Sequence, residues 1–296
     1  MKTNEIFDFK RFGKYFGSDL KTLWTNFGLS LMTTTLALPL VIYIISIAFN
    51  KVINNTWCGP SMDLRLFVFA MAMFCIIVTM PVKCYGRITE KQYGSFWITL
   101  PASRLEKYLS MIILTCIIIP LAGAFLCLGM DAIICAIDHS CGSSIISSGI
   151  DMIRNMDENR EITINLMNES LEIRDAEVVR NIVNQLSSPW LYIDEIFGIT
   201  LPILLGAIFF KRGKTAKTFL SLFALGSISS MMMTPIMVNW TKDIMSAVGS
   251  GDPELVLAIF DSGIFRNMVI IDIISDTIFN SALLLGIWFR IKTLKH

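Results

Sequence analysis

Histidine is almost missing from this chain: only His139 and His296 occur among 296 residues. Most general acid–base and metal-hydrolysis layouts therefore lack a base or a ligand. The H-E-x-x-H and G-x-S-x-G patterns are absent as well. No catalytic residue and no metal site are assigned. Charge is scarce, at 17% of residues, where soluble domains carry about 25%. The net charge of +1 provides no electrostatic footprint for nucleic acid. A complete phosphate-binding loop is also missing. Gly213-Lys214-Thr215 matches the last part of that pattern, but the required earlier glycine is replaced by Ile208, and the segment follows an apolar run, not a strand. The chain is therefore expected to bind no nucleotide or other cofactor itself. Its first 28 residues lack the short basic start and apolar core of a cleavable signal, so the first apolar run is expected to stay in the membrane.

What the chain has in abundance is apolar sequence: 54% of residues, with a mean hydropathy of +0.62. Six runs approach or exceed the roughly 20 residues that cross a bilayer: Leu29–Phe49, Leu64–Val82, Tyr108–Met130, Trp190–Phe210, Thr218–Trp240 and Asn267–Phe289. The third can extend to Ile137 with a kink at Pro120, and Pro39, Pro202 and Pro235 also lie within runs, where membrane helices tolerate them. The expected fold is an all-α polytopic membrane protein with six transmembrane helices. A basic amphipathic helix over residues 1–28 should precede them on the membrane surface, its Phe7, Phe9, Phe12, Tyr15, Phe16, Leu20 and Trp24 set among Lys10, Arg11, Lys14 and Lys21. Residues 29–137 hold the first three spans and a cytoplasmic segment at 83–107. An extracytoplasmic loop region covers 138–189, and residues 190–296 hold the last three spans.

Orientation follows from the distribution of Lys and Arg. With the N-terminus inside, the inside segments 1–28, 83–107, 211–217 and 290–296 hold 5, 5, 4 and 3 of them, or 17 of the chain's 25. Both termini are then cytoplasmic, in a membrane expected to be the bacterial inner membrane. Trp57, Trp190, Trp240 and Trp288 fall near helix ends, where interfacial tryptophan belongs. The long outside loop carries a strand signal at Ile162, Ile164 and Leu166 and a helix signal from Asp175 to Leu186, a small α+β cap. A further helix is expected near Pro253–Phe260. The seven cysteines fit no zinc spacing and read as buried apolar groups. Cys58 and Cys141 both fall outside, which leaves a bridge between them open.

The segment Gly86–Ser110 has the most distinctive pattern. Ser103 and Glu106 form an S-x-x-E capping box, so the third helix should begin at Ser103, with a corner at Leu100-Pro101-Ala102. Before it, Ile88, Tyr93, Phe96, Trp97 and Leu100 form one face of a short amphipathic helix, with Arg87, Glu90 and Lys91 on the other. Such a helix could dock a cytoplasmic partner or rest on lipid.

Glu90, Gly94, Leu100-Pro101-Ala102-Ser103-Arg104 and Glu106-Lys107, between the second and third runs, resemble the ABC type-2 transporter permeases, in particular a group common in Bacteroidetes. Gly206–Phe210 with Lys211, Arg212 and Lys217-Thr218 is similar to the turn between helices four and five of that group. The resemblance implies a six-helix permease that works as a homodimer or heterodimer. It also implies a separate cytoplasmic ABC ATPase that holds the ATP and docks on the loop between helices two and three. On this basis Arg87, Glu90, Tyr93, Gly94, Trp97, Pro101, Ser103, Arg104 and Glu106 form the coupling segment of an exporter. The long outside loop after helix three departs from many members, whose larger outside feature lies between helices five and six.

Asp272 and Asp276 share a face of the last run. A carboxylate near the bilayer centre costs roughly 2.5–3.5 kcal/mol, so Asp276 should face protein or water. This pair motivates an alternative reading as an ion- or proton-coupled carrier. A third reading is a membrane scaffold or sensor that binds a partner through the outside loop.

Overall fold

A computed structural model of the protein describes residues 7–90, 94, 97, 99–154, 189–227, 231, 234, 238, 242 and 264–293. It divides into two compact units. The first comprises Met1–Asp151, Ile199–Thr218 and Leu283–His296, and the second Met152–Gly198 and Phe219–Ala282. All regular structure among the described residues is helical: α1 (Phe9–Met32), α2 (Leu38–Asn54), α3 (Met62–Tyr85), α4 (Arg104–Ile112), α5 (Ile119–Ile137), α6 (Ile145–Arg154), α7 (Pro189–Phe209), α8 (residues 214–227) and α9 (Ile264–Thr293). The strand signal at Ile162–Leu166, the helix signals at Asp175–Leu186 and Pro253–Phe260, and Tyr93 lie outside the described residues.

Local chemistry sets the helix ends. The Asp8 carboxylate caps α1 by accepting from the amides of Lys10 and Arg11. Ser61 caps α3 through the Leu64 amide. Asn55, in the left-handed region at φ 51°, terminates α2. Ser103 and Glu106 make the full capping box expected of them, and α4 starts at Arg104. The joint expected between a surface helix and the first span is not a break: α1 and α2 form one helical path from Phe9 to Asn54.

Two helical paths are joined by π turns, Thr33–Ala37 between α1 and α2 and Ile113–Ile118 between α4 and α5. Each π turn lies just before a proline, Pro39 or Pro120. Proline lacks an N–H and its ring crowds the carbonyl four residues back. Widening the preceding turn keeps the helix running in spite of this. Threonine hydroxyls donate to carbonyls in the same stretch. Thr35 bonds to the Leu31 oxygen at 2.9 Å, and Thr115 to the Met111 oxygen at 2.7 Å. The expected kink at Pro120 is therefore a π turn inside a continuous helix from Arg104 to Ile137.

Among the described residues four helical paths are long and apolar enough to cross a membrane: Phe9–Asn54, Met62–Thr89, Arg104–Ile137 and Ile273–Thr293, with Ile196–Phe209 as a shorter apolar piece. Large apolar side chains on them stand exposed, among them Ile45, Phe49, Phe67, Leu121 and Phe125. Water would penalise this surface by roughly 25 cal/mol per Å², whereas lipid would not, so the protein is an integral membrane protein. In the first unit, α3 packs on α5, α1 on α3 and α4, and α2 on α3 and α5. Ala72, Ile76, Met80, Met111, Leu114, Leu201, Leu204, Ile208 and Ile287 are completely or almost completely buried. In the second unit the described helical stretches include 152–154, 189–198, 219–227 and 264–282, and Leu220, Phe223, Ile274 and Ile278 are exposed.

Gly206 permits the closest approach in the first unit. A Cβ there would lie 1.8 Å from the Thr218 hydroxyl and 2.7 Å from its Cβ, so α7 and the start of α8 meet only because position 206 has no side chain. Overpacking of this kind costs typically about 1–3 kcal/mol. We expect Gly206→Ala to lower the thermal unfolding temperature in detergent clearly. Gly129→Ala, where nothing lies within 4 Å, should leave it unchanged or raise it slightly. Equal effects of the two changes would refute this contact.

Candidate functional site

The segment between α3 and α4 is anchored by one carboxylate. Glu106 has no exposed surface. One oxygen accepts from the Arg11 Nη2 at 2.8 Å and from the Asp8 amide at 3.0 Å, and the other accepts from the Ser103 amide at 2.8 Å. The Arg11 Nε adds bonds at 3.0 and 2.9 Å. Glu106 thus caps α4, holds the residue that caps α1, and pairs with an arginine of α1. Nearby, the Asp19 carboxylate of α1 accepts from the Tyr85 hydroxyl at 2.9 Å and the Ser110 hydroxyl at 2.8 Å, joining α1, α3 and α4.

Further ties fix both ends of the segment. The Lys214 ammonium at the start of α8 donates to the Gly86 carbonyl. Burial there draws the Lys214 pKa below the usual lysine value, while the Glu90 charge acts in the opposite direction. Arg104 donates to the Lys292 carbonyl of α9 at 3.0 Å, and the Tyr108 ring meets Trp288 edge-on at 5.4 Å. The buried Lys107 ammonium donates to the Trp97 carbonyl at 2.8 Å and lies 5.1 Å from the centroid of the Trp97 ring.

Eight of the nine residues assigned to the coupling segment, all but Tyr93, therefore divide by position. Gly94, Trp97 and Glu106 are buried, and Ser103 is half-buried, so these hold the segment in place. Arg87, Glu90, Pro101 and Arg104 are exposed. Of the two aspartates on α9, Asp276 is half-buried. It lies twelve residues from the start of the helix, about 18 Å at ~1.5 Å per residue.

A second charged cluster was not anticipated from the sequence. Arg65 of α3 and Asp131 of α5 pair at 3.0 Å, both more than nine-tenths buried. The Arg65 guanidinium also donates to the carbonyls of Cys141 at 3.0 Å and Ser143 at 2.8 Å. The second Asp131 oxygen accepts the Ile145 amide at the start of α6. Next to it, Asp138 accepts from the Tyr43 hydroxyl at 2.8 Å, the Trp57 indole at 3.3 Å and the Ser140 amide at 2.9 Å, tying α2 to the turn after α5. The Ser140 bonds lead the effects that hold the Asp138 carboxyl below its ordinary pKa. Cys58 and Cys141 are both free thiols, so the bridge left open between them is not formed.

Glu106 and Asp131 lie 25 residues apart on one helical path, about 37 Å at ~1.5 Å per residue. The two charged clusters are thus separated by somewhat less than a bilayer with its headgroup layers, about 40–45 Å. The sequence signal for the second cluster was one opposite charge on each of two neighbouring apolar runs. The signal for the Lys214 tie lay in the same residues that resemble a phosphate loop.

Comparison with protein-family models, curated proteins and solved structures finds no match to this chain. Among the described residues no three His, Cys, Asp or Glu come together as metal ligands. The arrangement can support a mechanical role: a short segment with an exposed charged rim, held at its base by three other helices.

Removing a buried partner that serves several donors costs about 1–3 kcal/mol per orphaned group. Glu106→Ala orphans two amides and a guanidinium, whereas Arg11→Ala leaves Glu106 with its two amides and removes a partly exposed side chain. We expect Glu106→Ala to destabilise by about 3 kcal/mol or more and Arg11→Ala by less, read as unfolding temperature in detergent. The reverse order would show that Glu106 is not the anchor.

Proposed function

We propose that this chain is the membrane-spanning permease subunit of an ABC exporter. Six helices per chain assemble as a homodimer or heterodimer in the bacterial inner membrane, with both termini cytoplasmic. A separate ATPase binds the ATP and docks on segment 83–107. The observation that carries this reading is the division of that segment. Ile88 and Trp97 are buried, while Arg87, Glu90 and Arg104 are exposed. A helix that only rested on lipid would turn apolar groups outward. Here the outward groups among the described residues include two arginines and a glutamate, which suit a polar protein surface.

The rigidity of the base also supports this reading. A push on the rim from a partner reaches α1 through Glu106–Arg11, α8 through Gly86–Lys214 and α9 through Arg104–Lys292. The excess of Lys and Arg in the segments on this side supports the cytoplasmic assignment.

The tagged chain extracted from its native membrane should retain a nucleotide-hydrolysing partner with a complete phosphate-binding loop, identified by mass spectrometry. Arg87→Glu combined with Glu90→Lys should reduce the retained ATPase about tenfold while leaving the unfolding temperature unchanged, because both side chains are exposed. If no such ATPase is retained, or the charge reversal leaves the complex intact, the reading fails.

A further inference from the structure

The corner where α7 gives way to α8 carries charge of one sign. Residues 199–218 and 283–296 hold seven Lys and Arg and no Asp or Glu. Four of the seven gather around the end of α7. The Arg290 Nε of α9 donates to the Ile208 carbonyl at 3.1 Å, and its guanidinium carbon lies 5.6 Å from the centroid of the Phe209 ring. The Lys217 ammonium lies 6.0 Å from the centroid of the Phe210 ring. Lys211 and Arg212 follow directly in the turn. Lys211, Arg212 and Lys217 are exposed, and Arg290 is half-buried. Among the described residues no carboxylate pairs with any of the four.

Membrane sidedness accounts for cations here but not for the missing acids, which count for little in that rule. Segments 1–28 and 83–107, assigned to the same side, hold five Lys and Arg each, yet also three and two acidic residues. There the charges find partners within the chain, as Arg11 finds Glu106. At the α7–α8 corner like charges are held together without that relief, and an external anion would supply it.

The same corner is apolar. Phe209 and Phe289 are each more than half exposed. Trp288, next to Phe289, packs edge-on against Tyr108, and tryptophan favours the headgroup level of a bilayer. Free phosphate would meet the cations and leave both phenyl groups uncovered, as would a polar protein surface. A lipid supplies both parts, a phosphate for the cations and acyl chains for the rings. A zwitterionic headgroup also brings an ammonium, and the corner has no carboxylate to receive it. An anionic headgroup brings the phosphate without that cost.

We propose that Lys211, Arg212, Lys217 and Arg290 bind the phosphate of an anionic phospholipid whose acyl chains lie beside Phe209 and Phe289. The site does not rest on the coupling role of segment 83–107.

The test is photolabelling of the full chain in phosphatidylcholine vesicles that contain a diazirine-tailed probe, either phosphatidylglycerol or phosphatidylcholine. Labelled peptides are mapped by mass spectrometry, and those at the ends of α7 and α9 are compared with the surface around Phe125, which is highly exposed. At the corner the phosphatidylglycerol probe should label about fivefold or more above the phosphatidylcholine probe, while around Phe125 the two should label alike. High salt should remove the difference in the unmodified chain, because exposed charges are screened. Lys211→Gln combined with Arg212→Gln and Lys217→Gln should bring the two probes level at the corner. It should leave labelling around Phe125 and the unfolding temperature unchanged, because all three side chains are exposed. The proposal is overturned if the two probes label the corner alike in the unmodified chain, if Phe125 shows the same preference, or if the preference survives high salt or the triple change. Should the probes label alike and the triple change strip a co-purifying ATPase, the corner docks protein instead, which also overturns it.

Discussion

Glu106 is a carboxylate with no access to solvent, and the junction of α1 with α4 is organised around its partners. A buried charge is tolerated only when its counter-ion and hydrogen-bond donors are all in place. Here they come from the guanidinium of Arg11 and from backbone amides that start two different helices. The same carboxylate therefore decides where α4 begins, where α1 begins and how the two meet. Lys107, the next residue, then reaches the Trp97 carbonyl and ring, which brings the preceding segment down onto the bundle. Loss of that one charge would remove a tie shared by the N-terminal helix and the segment before α4.

The opposite end of the same helical path repeats this logic with different groups. Asp131 is satisfied by Arg65 and by the first amide of α6, just as Glu106 is satisfied by Arg11 and by amides at Asp8 and Ser103. In each case a carboxylate on the α4–α5 path pairs with an arginine on another helix and also receives amides that begin a helix. Between them the path is apolar, and the π turn before Pro120 keeps it unbroken. The two ends differ in exposure: Arg11 is partly exposed to solvent, whereas Arg65 is enclosed.

Much of this was legible beforehand. Hydropathy runs located the long helices because some twenty apolar residues have no place in water and one obvious place in lipid. The Ser103–Glu106 box was readable because capping is local: the two residues satisfy amides within one turn of each other. The same locality hid what else Glu106 does, since Arg11 lies 95 residues away in sequence. The amphipathic start was read as a separate surface helix because polarity changes near residue 28. Polarity does not by itself break a helix, and no proline or solvent-seeking turn interrupts the ladder there.

The sequence by itself determined the helical class, the membrane as solvent, the cap of α4 and the sidedness of charge expected for the loops. Each follows from local composition or from groups a few residues apart. Only the tertiary structure decided that Trp97 and Glu106 point inward while Arg87, Glu90 and Arg104 form the rim, that Lys214 meets the Gly86 carbonyl, and that Arg65 and Asp131 meet. Those outcomes depend on which helix faces come together, and the near-uniform apolar lengths of these helices carry little information about that until the buried charges find their partners.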